Sequence, residues 1–109
     1  MSDSVMPLAI PANHPAYAGH FPGRPILPGV VLLDAVLHAL AMQHGIEVES
    51  GQFKSAKFHS PVQPGEALIL HYTEAPSGGF RFEIRCMDNH GGERSVASGV
   101  LFFSPGAQA

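Results

Sequence analysis

The chain is poor in what several large function classes need. Only six lysines and arginines (Arg24, Lys54, Lys57, Arg81, Arg85, Arg94) stand among 109 residues, with a net charge of −3 and a pI near 6.1. No basic stripe is available for phosphates, which excludes nucleic acid and an anionic membrane as partners. Cys86 is the single cysteine, so no internal disulfide can form, and its strand-like apolar position marks it as core packing rather than a nucleophile. The N-terminus lacks a basic leader with a long apolar core, and the longest apolar run is interrupted by Asp34 and His38, so a soluble, cytoplasmic protein is expected. His-Glu-x-x-His is missing, and neither His14 with His20 nor His38 with His44 is spaced as a metal pair, so no metal is expected. Neither internal repeats nor low-complexity segments occur. The length fits one domain over residues 1–109, with loose tails at 1–5 and 105–109, and is small enough that an oligomer would help bury apolar surface.

Proline and glycine, by contrast, are concentrated where one histidine precedes one carboxylate. Residues 19 to 34 read Gly-His-Phe-Pro-Gly-Arg-Pro-Ile-Leu-Pro-Gly-Val-Val-Leu-Leu-Asp. Pro22, Pro25 and Pro28 fix three φ angles, and Gly23 and Gly29 permit backbone geometry that other residues resist, so the loop can hold His20 in a defined pose. From Val30 to Met42 the chain is apolar on every side, which predicts a helix buried all round, stopped at His44-Gly45. Asp34 is the anomaly in it. A buried carboxylate must be paired or protonated, and a structural acid paired with His38 at i,i+4 and a catalytic acid are about equally good accounts.

Residues 20 to 34 resemble the signature of the hotdog-fold 3-hydroxyacyl-(acyl carrier protein) dehydratases: His-Phe-Pro-Gly-x-Pro-x-x-Pro-Gly, then an apolar helix with Glu or Asp fourteen positions after the histidine. A second passage, Phe58-His59-Ser60-Pro61-Val62-Gln63-Pro64-Gly65-Glu66, resembles the family's Phe-x-x-Pro-Val-x-Pro-Gly-Asp/Glu. The lead-in before the signature is short, as in the dehydratases of aryl polyene clusters. The carboxylate is Asp where the dehydratase-only branch has Glu, so isomerase activity is not assigned.

The rest of the chain agrees with that resemblance. A short strand at residues 6 to 10 is limited to an edge by Pro7. Strands are predicted at 51 to 60, with Lys54, Ala56 and Phe58 on one face, and at 66 to 73, with Leu68, Leu70 and Tyr72 on one face and the other face largely covered. Phe80, Phe82, Ile84 and Cys86 alternate with polar residues in a further strand. A last strand spans 93 to 103, with Ser98 and Gly99 marking a bend or bulge. The class is α+β, an antiparallel sheet wrapped around one helix.

The resemblance implies reversible loss of water from a 3-hydroxyacyl thioester, carried on the phosphopantetheine of acyl carrier protein or on coenzyme A, to a trans-2-enoyl thioester. It implies no metal and no bound cofactor. His20 would be the base at C2, Asp34 the acid for the leaving hydroxyl, and the Gly29 backbone N–H, at a helix N-terminus, the holder of the thioester oxygen. Gly29 would let the thioester approach the backbone, and burial would raise the Asp34 pKa, giving a bell-shaped pH profile. Phe21, Leu27, Leu33 and Phe58 are candidates for an acyl tunnel. The active site would lie between two subunits of a homodimer, the histidine from one and the acid from the other. Arg24 is a candidate contact for acidic carrier protein or simply a solvated rim residue. A hotdog thioesterase using Asp34 and a noncatalytic acyl-thioester-binding module are the rival readings.

Overall fold

The structure is a computed structural model and describes residues 4–8, 10, 28–63, 66–75, 78–87 and 91–103. His14, Tyr17, His20, Phe21, Arg24 and Leu27 lie outside the described residues, as do the turn positions 76–77 and 88–90 and the tail 104–109.

Among the described residues five strands form one antiparallel sheet: β1 Ser4–Leu8, β2 Gly51–Phe58, β3 Ala67–Glu74, β4 Gly79–Met87 and β5 Glu93–Phe103, in the order β1-β3-β4-β5-β2. Among the described residues one α-helix, α1 Gly29–His44, packs on the sheet. This is the sheet-and-helix arrangement that the hotdog resemblance implies. β1 lies two residues earlier than the sequence suggests, and its Pro7 is on an edge strand, where a missing N–H breaks no inner ladder. Period-2 alternation places Leu68, Leu70 and Tyr72 of β3 and Phe80, Phe82, Ile84 and Cys86 of β4 in the core. The second face of β3 is half-covered at Ile69, His71 and Thr73.

Two bulges break the expected alternation. In β5, Ile84 pairs with Ala97 and Arg85 with Ser95, leaving Val96 as the extra residue. Val96 and Ala97 are consecutive yet both fully buried. The irregularity is therefore here rather than at Ser98 and Gly99. In β2, Phe53 pairs with Leu101 and Ser55 with Val100, so Lys54 is the inserted residue. Lys54 consequently leaves the face of Ala56 and Phe58, and its Nζ sits 5.8 Å from the centre of the Phe102 ring.

The helix is buried along one stripe only. Leu32, Val36, Leu40 and Ala41 pack into the core, while Val30, Asp34, His38 and Met42, four residues apart, form an exposed row. Val30 is 71% and Met42 87% exposed, which corrects the expectation of a helix buried all round within one chain. Pro28, with φ −61° and ψ 143°, sits at the N-cap. At the other end Gly45 adopts φ +64°, and the Gly45 and Ile46 N–H groups both donate to the Ala41 carbonyl, a glycine stop of the expected kind.

Candidate functional site

The N-terminus of α1 borders a cavity of about 500 Å³. Among the described residues its lining includes Gly29, Val30, Leu32, Phe58, Ser60 and Val62. The helix begins with no side-chain cap and no acidic residue in its first turn, so among the described residues its positive end and first N–H groups are not answered by a side chain. Phe58 ends β2, pairs with Ala97 and is 53% exposed. Its ring lies where a Cβ on Gly29 would be, 2.6 Å from that position. What Gly29 admits to close approach in this chain is thus the Phe58 ring.

Asp34 is one helical turn beyond Val30 on the same exposed row. Its side chain is 66% exposed, so the burial expected from the sequence is not provided by the single chain. His38 Nδ1–H donates to the Asp34 carbonyl at 2.9 Å and lies 3.4 Å from its Oδ1, which realises the i,i+4 pairing. Of the tunnel candidates, Phe58 lines the cavity, whereas Leu33 packs half-buried against the core and its neighbour Leu32 faces the cavity instead. Phe21 and Leu27 lie outside the described residues, as does His20. Among the described residues no three His, Cys, Asp or Glu side chains gather as metal ligands, and no helix is long and apolar enough to cross a membrane.

One cluster near the cavity was not anticipated. After Phe58 the chain leaves the sheet, and the His59 and Ser60 N–H groups both donate to the Val96 bulge carbonyl, at 2.8 and 3.3 Å. Arg94 reaches Glu66 through two nitrogens, Nη2 to Oε1 at 2.9 Å and Nη1 to Oε2 at 3.1 Å. The Gln63 N–H donates to the same carboxylate at 2.7 Å and the Cys86 thiol at 3.5 Å. The Arg94 hydrogen bonds, helped by the Gln63 N–H and against partial burial, hold the Glu66 carboxyl below its ordinary pKa. Burial, then the Glu66 carboxylate, pushes the Cys86 thiol up.

A lowered folded-state pKa gives stability that is present above the unfolded carboxyl's pKa and is lost as pH falls through the folded value. Glu66→Gln is therefore expected to cost about 1 kcal/mol at neutral pH, a figure limited by solvent screening of a pair whose side chains are 37% and 24% exposed. That corresponds to a melting temperature lower by about 5 °C. Melts at pH 7 and near pH 3 check it: a difference that persists unchanged in acid would show that the charge of Glu66 is not its source.

The model of the ApeI-like family, described as ApeI dehydratase, matches residues 2–100. The 3-hydroxyacyl-(acyl carrier protein) dehydratase FabZ of Chlamydia trachomatis is 43% identical over 67 residues, which are 53% of this chain and 44% of that protein. The chain thus spans less than half the length of this curated relative. Among solved structures, the dehydratase heterocomplex ApeI:P from Xenorhabdus doucetiae superposes with a TM-score of 0.70 at 23% identity, covering 92% of this chain and 85% of that one. The 4-hydroxybenzoyl CoA thioesterase of Pseudomonas sp. strain CBS-3 superposes with a TM-score of 0.56 at 16% identity, covering 96% and 88%. The fold is thus the hotdog fold, shared by a dehydratase and a thioesterase, and does not by itself choose between their reactions. The family model runs through both signature passages and nearly the whole chain, and the chain therefore belongs to the ApeI-like family, described as ApeI dehydratase.

Proposed function

We propose that the protein removes water from a 3-hydroxyacyl thioester carried on acyl carrier protein, giving the trans-2-enoyl thioester. The observation that carries this reading is the ApeI-like match over residues 2–100, which includes His20, Gly29 and Asp34 at their signature spacing. His20 takes the proton from C2, the C2–H electron pair becomes the C2=C3 double bond, and the C3–O bond breaks as Asp34 gives its proton to the departing hydroxyl. The proton on His20 returns to Asp34 through solvent. The Gly29 N–H, at the positive end of α1, takes the charge that builds on the thioester oxygen. No bound cofactor takes part.

The exposed row of α1 supports a homodimer, since Val30 and Met42 are large apolar side chains left uncovered by the single chain. A second copy over this row would desolvate Asp34. A heterocomplex is the second reading, favoured by the ApeI:P assembly of the Xenorhabdus dehydratase. A protein that is monomeric and inactive alone, and active with a different hotdog chain, would select it.

Intact-mass measurement of a 3-hydroxyacyl carrier protein after incubation with the enzyme tests the reaction. Loss of one water is expected. Loss of the whole acyl group would mean a thioesterase, and no change over several chain lengths and aryl groups would mean a binding module. Asp34→Asn is expected to lower kcat at least about 100-fold. Because Asn keeps the size and shape of Asp, the melting temperature should stay close to the parent's unless the dimer comes apart, which sedimentation would detect. Full activity in Asp34→Asn would remove it from the mechanism.

A further inference from the structure

Strict alternation back from Ala97 would turn Arg94 to the outer face of β5. The extra residue at Val96 reverses this, and Arg94 pairs with the buried Cys86 on the core side of the sheet. From that rim its guanidinium reaches four acceptors. Besides the two-pronged contact with Glu66, Nε–H donates to Ser60 Oγ at 3.2 Å and Nη2–H to the Pro61 carbonyl at 2.8 Å. Ser60 Oγ–H passes the connection on to the Ser95 carbonyl at 2.9 Å. With the two N–H bonds to Val96, every link joins the start of β5 to the stretch between Phe58 and β3. That stretch is the cavity wall, and Phe58, whose ring rests against Gly29, is the last paired residue before it.

We propose that Arg94 is a positioning residue: clamped to Glu66, Ser60 and Pro61, it fixes the cavity wall at residues 58–62 and thereby sets which acyl groups the cavity accepts. The proposal rests on reading this cavity as the acyl-thioester site. Arginine suits the task because its planar fork holds several acceptors in fixed directions, whereas lysine offers one point charge on a flexible stem. Loosening the wall should weaken selection among acyl groups more than the chemical step, whose groups are His20, Asp34 and Gly29.

Arg94→Met and Arg94→Lys, compared with the parent, separate this role from a surface ion pair. In Arg94→Met, amide exchange at His59 and Ser60 should rise about tenfold or more, while Ile84 and Leu101 in the core strands stay within about twofold. For the preferred carrier-bound 3-hydroxyacyl group, KM should rise about tenfold with kcat within about threefold, and the preference among short, long and aryl groups should flatten. Arg94→Lys should fall between the two. Unchanged exchange at His59 and Ser60 would overturn the proposal, as would equal acceleration at all four amides, or a kcat loss shared by every substrate at constant KM. Exchange needs no substrate: a parent enzyme without turnover would defeat the dehydratase reading, and the clamp would be judged on the amides alone.

Discussion

His20→Ala is expected to lower dehydration of a 3-hydroxyacyl carrier protein by about 10²–10⁴-fold, the range for losing a positioned general base. In transition-state terms this is about 3–5 kcal/mol. The expectation is large because a thioester α-proton is a weak acid, and the helix N-terminus can stabilise the developing oxyanion without removing that proton. A methyl group at position 20 leaves the cavity, the Gly29 N–H and Asp34 in place, so substrate should still bind, and kcat should fall more than KM changes. His59 supplies the informative comparison. It lies on the cavity wall, but its Nε2 is 3.0 Å from Ser98 Oγ, and its N–H is tied to the Val96 carbonyl. If His59→Ala proved as damaging as described while His20→Ala retained turnover, the base would have to be moved to His59. A His20→Ala protein that hydrolyses the thioester outright would point to the thioesterase reading instead.

Legibility varied with the kind of information each residue carries. β4 could be read directly because Phe80, Phe82, Ile84 and Cys86 are apolar at every second position, with charged residues between several of them, so a slip of one would expose four core side chains. Pro7 announced an edge because an inner strand needs the N–H it lacks. The bulges were hidden for the converse reason: Val96 beside Ala97 is apolar in either register, and Lys54 extends an alternating pattern that the backbone interrupts. Once the bulge at Val96 is missed, Arg94 is assigned the wrong side of the sheet and its link to Glu66 disappears. The error over α1 has another origin. Apolar residues at Val30 and Met42 announce burial, yet composition does not distinguish burial inside a chain from burial between chains. The same ambiguity covers Asp34, whose place on the helix was legible while its surroundings were not. The roles proposed for His20 and Gly29 rest on the spacing of a motif, which can be read without knowing the packing.

Gly99→Ala is expected to be the most destabilising of the substitutions considered, at about 3 kcal/mol, near the upper end for overpacking a core. A Cβ at this position would overlap the Ser55 carbonyl oxygen and lie 3.0 Å from both the Ser55 carbonyl carbon and Phe82 Cζ. Two of these neighbours are backbone and have no rotamer to adopt. The third, Phe82, is 4% exposed and meets Phe53 edge-on with ring centres 5.7 Å apart, so it too has little room to move. Gly29→Ala provides the contrast, because the described atoms nearest its added methyl belong to the half-exposed Phe58 ring, which can turn away. Among the described strands β2 lies at the edge and pairs with β5 alone, so the easiest relief at Gly99 is for β2 to draw away from its partner. Such a movement carries Phe58 and the start of the cavity wall with it, coupling a stability defect to a binding defect about two strand residues from the site of change. Thermal unfolding should show a melting temperature lower by about 10–20 °C, and KM should rise for every acyl group in the fraction that remains folded. A melting temperature within about 2 °C of the parent would mean that β2 and β5 do not approach so closely at Ser55. The wall would then have to be held by the Arg94 contacts and the Val96 carbonyl without help from strand pairing at this point.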